Sequence, residues 1–145
     1  MSAKFPLACS SWDHKEIDAM NRVIESGMFT MGENVANFEK NFSKFINSKF
    51  CIMVNSGSSA NLLMVASLFY RKDSPLKRGD EVIVPAVSWG TSYYPLYQYG
   101  LKLRFVDIDL STLNFDLDQL ERTITEKTRL IFCVNLLGNP NNFLR

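Results

Sequence analysis

Histidine is almost missing from this sequence. His14 is the single example, and cysteine is represented only by Cys9, Cys51 and Cys133. A Cys/His zinc centre would have to be assembled from distant residues, and an odd number of thiols with no CxxC pair argues against a disulfide scaffold. Cys51 and Cys133 lie within apolar runs, so buried free thiols in a reducing compartment are expected. No basic segment precedes an apolar stretch at the start, and no apolar run approaches the ~18 residues that a membrane span needs. An excess of charge is lacking too. Sixteen basic and fifteen acidic residues leave a net charge of +1, and the basic residues form no stripe. Neither nucleic acid nor an anionic membrane is implied as a partner, and a soluble, cytoplasmic protein is expected.

Apolar residues are plentiful, at 46% hydrophobic against 21% charged, which excludes disordered and collagen-like classes. A chain of 145 residues suits one domain, able to bury about 70% of its unfolded surface. Asp13 followed by Glu16 resembles a capping box. Ile17, Met20, Val23 and Ile24 then recur at three- and four-residue steps, so a helix is predicted with Gly27 as its stop. After Phe29-Thr30-Met31-Gly32 a second helix is predicted, with Val35, Phe38, Phe42 and Phe45 on one side as core contacts. From residue 50 the pattern changes. Phe50–Val54 reads as a buried parallel strand, the turn Asn55–Ser59 leads into a helix over 60–69, and Glu81–Val84 reads as a strand ended by Pro85. Trp89–Tyr99 reads as a helix, Leu103–Val106 as a strand, Asp116–Ile124 as a short helix and Leu130–Val134 as a fourth strand. The loop 138–142 follows. Strands alternating with helices predict a parallel sheet covered by helices, an α/β architecture. The covering helix expected after the fourth strand is not in the sequence, so the chain reads as the incomplete first part of such a domain.

Three candidate site features lie on that frame. Ser56-Gly57-Ser58-Ser59 sits between a strand-like run and a helix. Glycine allows close backbone approach, and the first amides of a helix have no partners of their own, which suits a phosphate. An ordinary serine-rich helix cap is the bland alternative. The segment is neither a P-loop nor a GxGxxG fingerprint. Trp89 follows the strand ending at Pro85, at the edge where ligands of open α/β sheets bind, so its indole can stack on a planar ring or pack under the next helix. Asn135 ends the last strand-like run and is either a third site residue or a turn former.

These residues are similar to the DegT/DnrJ/EryC1/StrS family of sugar aminotransferases and dehydratases, which depend on pyridoxal phosphate and have the fold type I transferase architecture. The likeness rests on Val54–Leu63, Gly79–Pro85 and Phe105–Asp109, in the family's order and spacing. Phe29–Gly32, Pro85–Trp89 and Val134–Asn142 resemble more narrowly the branch of 3-dehydratases acting on GDP-4-keto-6-deoxymannose. The resemblance implies a helical arm over 1–48 and, over 49–145, the incomplete first part of the large cofactor-binding α/β domain. It further implies that Gly57, Ser58 and Ser59 hold the phosphate of pyridoxal or pyridoxamine 5'-phosphate and that Trp89 stacks on the pyridine ring. The same resemblance implies that Phe29, Thr30, Met31 and Gly32 line the entrance for a nucleotide sugar.

The family's pyridine-pairing aspartate, and its catalytic histidine (dehydratases) or Schiff-base lysine (aminotransferases), come after the fourth strand. No residue of this sequence matches them, so no catalytic residue is assigned. The resemblance implies, for the whole protein, C3 dehydration of a nucleotide-linked 4-keto-6-deoxy sugar in O-antigen or lipopolysaccharide synthesis. It also implies glutamate as the amino donor and a homodimer of the whole protein. A sugar aminotransferase, or a phosphate-binding remnant without turnover, is the alternative. Alone, a chain of this kind is expected to expose apolar sheet edges and faces and to be poorly soluble.

Overall fold

A computed structural model describes residues 9–145. The beginning of the arm, residues 1–8, lies outside the described residues. The chain forms two compact units, one ending at Met53 and the other running Val54–Arg145.

In the first unit, helix α1 spans His14–Ser26. The Asp13 carboxylate accepts from the Lys15 amide at 2.7 Å, and Glu16 accepts from the Asp13 amide at 2.9 Å. The predicted capping box therefore forms, satisfying amides that have no intrahelical acceptor. Gly27, at φ +65°, ends the helix in a conformation that favours glycine. Helix α2 spans Glu33–Phe45. Its phenylalanines line one face as predicted, with Phe38 and Phe42 stacked at 5.4 Å and Phe42 and Phe45 at 6.3 Å between ring centroids. The expectation that they are core is corrected, since all three are exposed, Phe45 to 85%.

The second unit is an α/β layer. Helix α3 (Gly57–Phe69) precedes strand β1 (Glu81–Pro85), helix α4 (Gly90–Gln98), strand β2 (Lys102–Val106), helix α5 (Leu117–Thr123), strand β3 (Thr128–Ile131) and a 3₁₀ turn at Leu136–Gly138. The sheet order is β2-β1-β3 and both pairings are parallel, the arrangement that helical crossovers demand. Side chains alternate across β1. Val82 and Val84 join Val65, Leu76, Leu96, Leu101 and Phe132 on the side of α3 and α4, while Ile83 packs with Val106 and Phe115 beside Leu117 and Leu120 of α5. The α/β reading holds. No helix among the described residues is long and apolar enough to cross a membrane.

Three expectations are corrected. Phe50–Val54 forms no strand. The run makes no strand pairing, and Phe50 stays exposed; its apolar composition fits a strand but supplies no partner. The last strand runs from Thr128 to Ile131 rather than from Leu130 to Val134, because its ladder is set by Glu81–Ile83 of β1. The thiols are free but not buried: Cys9 and Cys133 are exposed and Cys51 is half-buried. Cys51 lies in the run that forms no strand, and Cys133 lies beyond the end of β3.

Leu96 has no exposed surface, so Leu96→Ala should cost about 3 kcal/mol in urea unfolding. Truncating the exposed Leu110 should cost less than about 0.5 kcal/mol. Equal losses at the two positions would contradict this placement of the core.

Candidate functional site

The candidate site residues of the second unit lie at the starts of α3 and α4, the latter following the carboxyl end of β1. Ser56 caps α3 in an extended conformation, its hydroxyl accepting from the Ser59 amide at 3.2 Å. The Ser56 and Ser59 hydroxyls lie 3.2 Å apart. The Ala60 amide reaches the Ser56 carbonyl at 3.0 Å. That leaves the amides of Gly57 and Ser58 with no acceptor among the described residues, as the geometry of a helix start requires. No acidic residue occupies this first turn, so nothing there repels an anion drawn to the helix dipole. A Cβ added to Gly57 would meet nothing within 4 Å, and no positive φ is recorded for it. Neither packing nor conformation within the chain requires glycine here, and the missing side chain leaves the space above the two amides open.

Trp89 is the residue before α4 and contributes no side-chain cap. Its carbonyl accepts from the Ser92 amide at 2.8 Å while its indole is 76% exposed. The turn that carries it is stiffened from below. The Tyr93 hydroxyl donates to the Pro85 carbonyl at 2.8 Å, and the Ser88 and Ser92 hydroxyls lie 2.9 Å apart. Burial pushes the Tyr93 hydroxyl above its ordinary pKa, and a hydrogen bond with Ser88 draws it partly back. The two helix starts are joined directly by Asn61 Nδ2, which donates to the Thr91 carbonyl at 3.2 Å. Gly57, Ser58, Ser59 and Trp89 thus belong to two joined helix starts of one unit. Asn61, Ser88, Ser92 and Tyr93 support them. These four were not legible as site residues, since each is a common residue type in a helix or loop and its partner lies on another element or a turn away.

Asn135 is occupied within its own loop. Its side-chain oxygen accepts from the Asn141 backbone amide at 3.0 Å and from the Asn141 side chain at 2.8 Å, which is the turn-forming role. Phe29, Thr30, Met31 and Gly32 join α1 to α2 in the first unit and are described within it alone. Phe29 and Met31 are exposed, and a Cβ on Gly32 would lie 3.0 Å from Met28 Cγ, an approach that the exposed Met28 side chain would have to relieve. A separate cavity of about 250 Å³ is lined by Asp109, Asn114, Asp116, Asp118, Asn141 and Arg145, among others. Its three carboxylates make it unsuited to a phosphate, whereas the donors at Gly57–Ser59 face no such repulsion.

The DegT/DnrJ/EryC1/StrS aminotransferase family profile matches residues 10–144. The chain belongs to this family. It is 63% identical over 139 residues to GDP-4-keto-6-deoxy-D-mannose 3-dehydratase of Yersinia pseudotuberculosis, covering 96% of this chain and 35% of the relative. It is 58% identical to the enzyme of the same name from Escherichia coli O55:H7, covering 96% and 36%. A solved structure of the E. coli dehydratase with bound hydrated PLP superposes with a TM-score of 0.92 at 57% identity, covering 97% of this chain and 36% of that one. The chain therefore spans about a third of the length of the curated relatives it matches. The architecture is that of PLP-dependent transferases, and the relatives belong to nucleotide-sugar metabolism.

The raised pKa of Tyr93 fixes a pH dependence. The neutral hydroxyl is favoured in the folded state, so its contribution is complete below its ordinary value of 10.0 and is lost as pH climbs through the higher folded value. Urea midpoints should fall above pH 10.0 in the parent and fall less steeply in Tyr93→Phe. Parallel declines would show that Tyr93 does not carry this dependence.

Proposed function

We propose that this chain supplies the phosphate cradle and ring platform of an enzyme dependent on pyridoxal or pyridoxamine 5'-phosphate. Its substrate is a GDP-linked 4-keto-6-deoxy sugar, and its reaction removes the C3 hydroxyl in the synthesis of a surface-polysaccharide sugar. The observation that carries this reading is the pair of unpartnered amides at Gly57 and Ser58, on a helix that Asn61 ties to the helix that follows the exposed Trp89. The identity to two 3-dehydratases supports the choice of substrate class.

In this reading the Gly57 and Ser58 amides and the Ser58 and Ser59 hydroxyls donate to the phosphate, and the face of Trp89 holds the pyridine ring flat. Phe29, Thr30, Met31 and Gly32 line the approach of the nucleotide sugar. The cofactor, when bound, supplies an electron sink for bonds broken next to its imine carbon. This chain's residues bind and orient. None of them is assigned a proton transfer, and no catalytic residue is placed among them. Glutamate as amino donor, a homodimeric whole protein and a cytoplasmic location complete the proposal.

The test is a fluorescence titration with pyridoxal 5'-phosphate in a Trp12→Phe background, where Trp89 is the only indole. Saturable quenching is expected, lost in Trp89→Ala. Gly57→Val has open space for its side chain and should fold, yet weaken binding by about tenfold or more, the effect of losing one well-made charge-assisted contact. No quenching up to about 1 mM, weaker than typical specific sites, would overturn the proposal.

A further inference from the structure

Helix α4 contains an interior proline, Pro95. Proline has no N–H, so the carbonyl four residues earlier loses its intrahelical donor. That carbonyl belongs to Thr91, and it is the one that takes the Asn61 side-chain amide at 3.2 Å. Asn61 itself sits in the second turn of α3, a part-buried position where asparagine is a weaker helix former than alanine or leucine. Its side chain is used across the helix interface instead of competing for its own backbone. A donor missing from one helix is thus supplied by the other. The bond ties the turn that follows the Gly57–Ser59 amides to the turn that follows Trp89.

We infer that Asn61 is a positioning residue that sets the register between the phosphate cradle and the Trp89 ring platform, through the carbonyl that Pro95 leaves free. The inference rests on the cofactor reading above and names the device that makes two separate helix starts act as one site. A ligand carrying both a phosphate and a ring needs the two at a fixed offset; inorganic phosphate needs only the cradle. Buried carbonyls are costly to leave unbonded, so Asn61→Ala alone would mix loss of register with loss of stability. Restoring the missing N–H with Pro95→Ala separates the two, because Thr91 can then bond within α4.

The experiment compares the parent, Asn61→Ala, Asn61→Asp and the double variant Asn61→Ala/Pro95→Ala, all in the Trp12→Phe background. It measures urea midpoints, inorganic phosphate affinity, pyridoxal 5'-phosphate affinity, and iodide quenching of Trp89 without any ligand. Asn61→Ala and Asn61→Asp should both lower the urea midpoint, and the double variant should recover part of the loss, since Pro95→Ala also trims a buried side chain. Asn61→Ala and the double variant, which add no charge near the cradle, should keep the parent's phosphate affinity, bind pyridoxal 5'-phosphate about fivefold more weakly, the worth of one hydrogen bond, and show altered iodide access to Trp89; Asn61→Asp is read by its urea midpoint alone.

A double variant that regains parental cofactor affinity and parental iodide access would overturn the inference, leaving Asn61 a structural residue. Equal losses of phosphate and cofactor affinity would also overturn it, placing the defect in the cradle alone. The iodide result stands without cofactor. A parent that binds no pyridoxal 5'-phosphate yet shows the iodide change sinks the cofactor reading while keeping the coupling of Asn61 to Trp89, and unchanged iodide access sinks the coupling.

Discussion

The second unit depends on the burial of β1 from both sides. Val82, Ile83 and Val84 have no exposed surface, with the two valines turned towards α3 and α4 and the isoleucine towards α5. A strand covered on both faces must be apolar at every position, and this requirement fixes which helices lie on which side. It also fixes where the strand's carboxyl end emerges. Pro85 closes the ladder, and four residues later Trp89 stands just before the next helix. The candidate site is therefore a consequence of how the core is threaded.

Around that site local preference and observed structure part company. Helix α4 reads Gly-Thr-Ser-Tyr-Tyr-Pro-Leu-Tyr-Gln, a poor helix former by propensity, and it is held by the burial of Ser92, Pro95 and Leu96. Helix α3 is apolar on nearly all sides, yet Val65 is its only fully buried residue, and Leu62, Leu63 and Met64 stay exposed. Sequences that fold well are locally consistent, and departures gather where function asks for something else. Here the departures are a proline inside one helix, an asparagine inside its neighbour, and an indole left in the open.

Much of the fold was legible because its signals are local. The capping box at Asp13 and Glu16, the αL stop at Gly27 and the strand at Glu81–Pro85 depend on residues within a few positions of one another, and each occurs where the pattern places it. Phe50–Val54 has the composition of a buried strand, but pairing depends on neighbours that a run of five residues does not encode. The same holds for the phenylalanines of α2, whose spacing gives a helix face without saying what lies against it. At the site, Gly57–Ser59 and Trp89 were legible as candidates from strand–turn–helix order. The tie between them was not, since Asn61 and Thr91 lie thirty residues apart and only the fold brings them together.

The central claim is that the open amides at the start of α3 receive a phosphate whose attached ring lies against Trp89. The most direct measurement follows backbone amide and indole N–H resonances as pyridoxal 5'-phosphate is added. The account predicts saturable shifts at Gly57, Ser58 and the Trp89 indole with one common dissociation constant. Shifts confined to the cleft at Asp109, Asn114 and Arg145, with Gly57 and Ser58 unmoved, would contradict it.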